Sequence, residues 1–155
     1  MATTPTTMPP ILTGALGQAE IEAAVPAWAE ERRTAQVDAA ASAALAQVPP
    51  GAELVVVLGT WCGDSKREVP QLWRALELAG SVPFSVSYLG VDRDKAAPGG
   101  VVDGLGVRFV PTFIVRRGGT ELGRVIEGAP EGVEVALLAL LRGERTGVIS
   151  LRGRQ

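Results

Sequence analysis

The chain has a single cysteine, Cys62, and its surroundings are the stretch best suited to chemistry. It belongs to residues 61–65, which read Trp-Cys-Gly-Asp-Ser. A cysteine reacts as its thiolate, and the unpaired backbone N–H groups of a helix N-terminus stabilise that anion. The chain has no histidine, which rules out a cysteine–histidine pair and removes the commonest metal ligand. These residues favour nucleophilic chemistry at the Cys62 thiolate, and we expect no metal site.

The neighbouring elements are predicted to place Cys62 where a strand gives way to a helix. Residues 54–58 form a short, valine-rich apolar run, which predicts a buried strand over residues 53–58. From residue 63 to about residue 79, apolar side chains recur at helical spacing. Residues 63–65 are types found where helices begin. We therefore expect Cys62 at the N-terminus of a helix, with Ser65 in its first turn.

The rest of the pattern predicts an α/β fold. A second strand over residues 84–89 completes a β-α-β unit, which favours parallel strands. Residues 112–116 and 121–126, joined by two glycines, are typical of an antiparallel hairpin. Residues 130–141 have the spacing of a closing helix. The expected architecture is a central mixed sheet flanked by helices.

The chain outside this core is predicted to form three further segments. Residues 1–12 combine threonine and proline without periodicity, and we expect a flexible N-terminal tail. Residues 13–50 are expected to be a helical extension of the same domain, either one helix or two, with Pro26 able to interrupt it. The core then spans residues 51–142, and residues 143–155 form a C-terminal tail that frays or adds a small strand.

Composition narrows the choice of partners. The net charge is only −2 and the charges are mixed along the chain, so no surface for nucleic acid or for a membrane is expected. No segment approaches the roughly 18 apolar residues of a membrane span, and the start lacks the basic and apolar regions of a signal peptide. We expect a cytoplasmic protein, in which a free thiol would react with an external thiol.

Residues 61–65 resemble the redox site of the thioredoxin superfamily, Trp-Cys-Gly-Pro-Cys between a central strand and a helix. Pro70 stands where thioredoxins carry the proline that kinks this helix, and Val110-Pro111-Thr112 is similar to their cis-proline loop. Gly118-Gly119 matches the hairpin turn of thioredoxins, and Gly128 matches the glycine ahead of their last helix. The resemblance covers roughly residues 52–142. It implies a thioredoxin-like fold in which a cis Pro111 lies close to Cys62.

The sequence departs from the thioredoxin pattern at four positions. Ser65 replaces the second cysteine of the motif, so no disulfide can form within it. The position of the buried acid is Val56, and the lysine that accompanies that acid is replaced by Tyr88. With Asp64 at the motif's proline position, the chain is similar to a subgroup of bacterial thioredoxin-like proteins. The chain therefore lacks both the resolving thiol and the buried proton-transfer pair.

The resemblance implies a monothiol thiol-disulfide oxidoreductase. Cys62 would form a mixed disulfide with a protein or small-molecule disulfide, and a low-molecular-weight thiol or a second protein would resolve it, with no bound cofactor. Ser65 would donate a hydrogen bond to the thiolate, serve as a helix-cap or first-turn hydroxyl, or do both. Trp61, Val110 and Pro111 would form the substrate surface, although Trp61 could equally be a packing residue. The alternative is a non-catalytic thioredoxin-fold binding module with a degenerate redox site.

Overall fold

The computed structural model describes residues 9–151, and in this range six strands form one mixed sheet flanked by five α-helices. The helices in chain order are α1 (Gln18–Ala24), α2 (Ala27–Thr34), α3 (Ala39–Ala44), α4 (Gly63–Ala79) and α5 (Val133–Arg142). The strands are β1 (Gly14–Leu16), β2 (Ala52–Leu58), β3 (Ser85–Gly90), β4 (Thr112–Arg117), β5 (Thr120–Ile126) and β6 (Gly147–Ser150). They lie side by side in the order β1-β3-β2-β4-β5-β6. The predicted α/β class is confirmed.

Strand β2 lies at the centre of the sheet, parallel to β3 and antiparallel to β4. Because successive side chains of a strand point to opposite faces, β2 contributes to two separate cores. Leu54, Val56 and Leu58 pack in a large cluster that includes side chains from all five helices. Val55 and Val57 pack in a smaller cluster formed largely by residues 91–114. Both faces of β2 are therefore covered, which explains why its apolar run does not alternate with polar residues.

The predicted helical extension over residues 13–50 differs from the structure in two respects. It begins with β1, which pairs antiparallel with β3, and it contains three short helices instead of one or two. Pro26 lies between α1 and α2, where its ring cannot continue a helix. The carboxylate of Asp38 accepts the N–H of Ala41 at 2.8 Å and so starts α3. A three-residue strand is too short for its periodicity to be recognised in the sequence.

Ion pairs attach this segment to the core. The Nε of Arg32 in α2 lies 2.6 Å from a carboxylate oxygen of Glu22 in α1, and its Nη1 lies 2.9 Å from Glu77 in α4. The hydrogen bond from Arg32 is the main cause that lowers the pKa of Glu22. One guanidinium therefore joins three helices.

The two predicted tails are partly described. Residues 1–8 of the N-terminal tail lie outside the described residues. Beyond them, the Leu12 N–H donates to the Thr60 hydroxyl at 3.1 Å, and that hydroxyl donates to the Pro10 carbonyl. At the other end, β6 pairs in parallel with β5, so residues 147–150 add the small strand that was one of two alternatives. Both ends of the described chain are thus tied to the sheet or to the loop after β2.

The predicted core elements agree with the structure to within one residue at each end, except at the start of the last helix. Helix α4 covers the expected residues, and the hairpin of β4 and β5 is confirmed. Helix α5 begins at Val133 and not at Pro130, because Gly132 has a φ of 107° and its N–H closes a turn onto Ala129. No helix of residues 9–151 is both long and apolar enough to cross a membrane.

Candidate functional site

Cys62 is the residue immediately before α4, in the connection from β2 to this helix. Its backbone is extended, with φ −96° and ψ 126°. Its N–H donates to the Gly59 carbonyl at 3.0 Å, and its own carbonyl accepts the Lys66 N–H at 3.0 Å. The first bond closes a turn and the second opens the helix. The half-buried thiol therefore lies beside the unpaired N–H groups of a 17-residue helix.

The Val110–Pro111 loop lies against Cys62. The peptide bond between these residues is cis, and the Sγ of Cys62 lies 3.5 Å from the Val110 carbonyl oxygen. Further bonds hold this loop, because the Thr112 hydroxyl donates to the Phe109 carbonyl at 2.6 Å and the Glu127 N–H donates to the Pro111 carbonyl at 2.7 Å. The structure thus brings Val110 and Pro111 together with Cys62, as the resemblance implies.

Ser65 is fully buried, and its hydroxyl accepts the Gly59 N–H at 3.1 Å. The predicted hydrogen bond from this hydroxyl to Cys62 is not among the bonds of the described residues. A buried N–H just beyond the end of β2 requires an acceptor, and Ser65 supplies it. The observed contact matches the alternative of a first-turn hydroxyl that holds the turn before the helix.

Trp61 is held in a defined position beside Cys62. Its indole N–H donates to the Val91 carbonyl at 2.9 Å. The ring lies against Gly59, where an added Cβ would come within 2.6 Å of it. Arg93 and Lys95 lie 5.2 and 5.6 Å from the ring centroid, within range of cation–π attraction. The sequence had not singled out Gly59 or these two cations, because only the fold brings them to the indole.

A cavity of about 150 Å³ opens beside Cys62. Its walls come from the N-terminal segment on one side and from the start of α4 with the turn before it on the other. The lining residues are Pro9, Val25, Ala27, Trp28, Thr60, Trp61, Cys62, Gly63 and Lys66. Apolar atoms dominate this lining, and among the described residues that form it only Lys66 carries a full charge. Nothing in the spacing of residues 25–28 could have indicated this site, because they reach it through tertiary packing alone.

The charges at the start of α4 are unequally paired. Arg67 lies 2.8 Å from Asp64 and 2.9 Å from Glu68, so both acids share one guanidinium. Burial raises the pKa of Glu68, and the hydrogen bond from Arg67 partly opposes that rise. Among residues 9–151, Lys66 has no ion pair, and three or more potential metal ligands are nowhere clustered. Lys66 is thus a cation beside Cys62 that is available to an external anion.

In the core below the site, a valine and a tyrosine occupy the positions where thioredoxins have a buried acid and a lysine. Val56 and Tyr88 are register partners on β2 and β3, and both are buried. The Tyr88 hydroxyl accepts the indole N–H of Trp73 at 2.9 Å. Burial raises the pKa of Tyr88 to about 12. An aromatic hydrogen bond and apolar packing therefore occupy this part of the core.

Two solved structures share the fold. A protein of unknown function from Pseudomonas aeruginosa, PA1234, is 18% identical, and the match covers 83% of this chain and 88% of that one with a TM-score of 0.58. An HIV epitope scaffold of the 4E10 series is 19% identical, with coverage of 83% and 79% and a TM-score of 0.51. No family model and no curated protein matches the chain. At this identity the similarity concerns the fold and assigns no activity.

Proposed function

We propose that the chain is a thioredoxin-like protein that carries out monothiol thiol–disulfide exchange through Cys62. The observation that carries this proposal is the position of its Sγ, at the start of α4 and 3.5 Å from the carbonyl before cis Pro111. The mixed sheet, with the thiol between its central strand and a helix, supports a thioredoxin-like arrangement of residues 51–142. A cytoplasmic location would suit this chemistry, since a reducing compartment supplies external thiols.

The proposed reaction has two exchange steps. In the first, the Cys62 thiolate attacks a disulfide R–S–S–R′, so that a bond forms between Cys62 and one sulfur while R′–S⁻ leaves. In the second, an external thiolate attacks the sulfur of R in this mixed disulfide, which releases the Cys62 thiolate and forms a new disulfide. Because the chain has one cysteine, the second thiol must come from another molecule.

Each proposed site residue has a physical task in this reaction. The N–H groups of α4 stabilise the thiolate, and Trp61, anchored through Val91, borders the approach to the sulfur. The backbone of Val110 offers polar groups to an extended substrate next to Cys62. Ser65 acts as a positioning residue, because its hydroxyl holds the turn at Gly59 from which the cysteine projects.

A non-catalytic binding module remains the second candidate, and one observation favours it. Where thioredoxins hold a buried acid and a lysine, this chain has Val56 and Tyr88 in apolar surroundings. A site without this proton-transfer pair would be suited to holding a partner against Trp61 and Val110 without turnover.

The two candidates are separated by trapping the mixed disulfide. The purified chain is incubated with hydroxyethyl disulfide, its mass is measured, and glutathione is then added to follow release of the adduct and turnover. We expect one adduct, on Cys62, that glutathione removes repeatedly, and we expect the Cys62→Ser variant to form none. Native Cys62 that reacts only after unfolding would contradict the exchange reaction, and a partner that Cys62→Ser still binds would favour the binding module.

A further inference from the structure

The cavity beside Cys62 has the size and lining for a small organic group. Its volume of about 150 Å³ equals that of an engineered apolar protein cavity that binds benzene, about 150 Å³. Cys62 is one of the lining residues, and the inference places a group joined to its sulfur in this space. The apolar side of the cavity is supplied by Val25 and Trp28 of the N-terminal segment.

The charge at the cavity selects among small groups. Lys66 lines the same space, one helical turn after Cys62, and has no carboxylate partner among residues 9–151. The nearest acid on the same turn, Asp64, is paired with Arg67 at 2.8 Å. An ammonium group at the rim of an apolar cavity matches a ligand whose apolar part enters the cavity and whose carboxylate stays at the rim.

We propose that this cavity binds the organic group of a small, carboxylate-bearing disulfide during its reaction with Cys62. The inference rests on the proposed exchange function and specifies its substrate class. In the reacting complex Cys62 attacks R–S–S–R, the bond from Cys62 to one sulfur forms, and the other half leaves as R–S⁻. The retained R group fills the cavity, and its carboxylate pairs with Lys66.

The charge preference is tested with three disulfides of similar size: dithiodipropionate, which is anionic, hydroxyethyl disulfide, which is neutral, and cystamine, which is cationic. We expect rates of adduct formation on Cys62 to fall in that order, with the preference reduced by salt. Lys66→Gln should lower the rate of the anionic probe relative to that of the neutral probe by about two- to fivefold, the range of one exposed ion pair. The matched control is Arg74→Gln, a charge removal on the same helix outside the cavity, which should alter neither rate.

The cavity itself is tested with dithiodibenzoate, whose half is an aromatic carboxylate. Ala27 is an exposed residue of the lining, so Ala27→Phe fills the space with little effect on the core. We expect this variant to slow dithiodibenzoate by at least about tenfold, the effect of preventing burial of one apolar side-chain-sized group. Ala40→Phe, at an exposed alanine outside the cavity, is the matched control. The alkylation rate of Cys62 by iodoacetamide, measured in both variants, corrects these rates for any general change in thiol reactivity.

The outcomes separate this inference from the function on which it rests. Cys62 that forms no adduct with any disulfide would overturn the exchange function itself. Adducts that form at equal rates with all three charge types, or rates that Ala27→Phe leaves unchanged, would preserve that function and overturn the cavity as its substrate site. A peptide disulfide that reacts faster than every small probe would overturn it as well.

Discussion

Tyr88, the chain's single tyrosine, allows a quantitative test of the packing below the site. Burial raises the pKa of Tyr88 from 10.0 to about 12, and the hydrogen bond from Trp73 partly opposes that rise. An unfolded chain ionises near the lower value. The contribution of Tyr88 to the free energy of unfolding is therefore fully present below about pH 10 and is lost as the pH rises to about 12. At about 1.4 kcal/mol per tenfold change in ionisation, the loss amounts to roughly 3 kcal/mol.

Two measurements test this prediction. Tyrosinate absorbance after a rapid pH jump gives the ionisation midpoint of the folded chain, and urea unfolding at a series of pH values gives the free energy of unfolding. In Tyr88→Phe, the fall in the free energy of unfolding that ionisation of Tyr88 causes at alkaline pH should disappear. At neutral pH this variant should be less stable by about 1–3 kcal/mol, because the buried Trp73 N–H loses its acceptor. A folded midpoint near 10.0, or an unchanged alkaline decline in Tyr88→Phe, would refute the reasoning.

Two further substitutions test the turn before α4 and the attachment of the N-terminal segment. Ser65→Ala leaves the buried Gly59 N–H without its acceptor, so urea unfolding should show a loss of about 1–3 kcal/mol in the free energy of unfolding. The rate of adduct formation at Cys62, expressed as a free energy, should change by less than this. A rate that collapses while stability stays constant would show instead that the hydroxyl acts on the sulfur. Gly90→Ala places a Cβ against the Leu12 carbonyl, and we expect it to cost about 1–3 kcal/mol and to increase hydrogen exchange in β1. Unchanged exchange in β1 would contradict that contact.

The elements around Cys62 could be predicted from the sequence because each has a strong local signal. The valine run of β2 and the helical spacing of α4 extend over 7 and 17 residues, long enough for their periods to be recognised. The β4–β5 hairpin was marked by Gly118 and Gly119, which both adopt positive φ values of 59° and 82°. The cis bond before Pro111 followed from the family resemblance, since no local signal distinguishes it from a trans bond.

The parts that could not be predicted depend on contacts between distant residues. Strand β1 exists because β3 offers it an edge, and the Thr60 hydroxyl accepts the N–H of Leu12, just before β1 and 48 residues away in the chain. A hydrogen bond to the sulfur was one of two roles expected for the Ser65 hydroxyl, and the hydroxyl instead accepts the Gly59 N–H of the turn at 3.1 Å. The cavity joins residues 25–28 to residues 60–66, and no periodicity connects those two segments.

The three tryptophans differ in their access to solvent, which has a practical consequence. Trp28 and Trp73 are fully buried, with ring centroids 5.9 Å apart, whereas Trp61 is partly exposed beside Cys62. A water-soluble collisional quencher such as iodide therefore reaches one fluorophore and spares the other two. The quenched component of the intrinsic fluorescence therefore comes from Trp61, and occupancy beside Cys62 can be followed through it without attaching a dye.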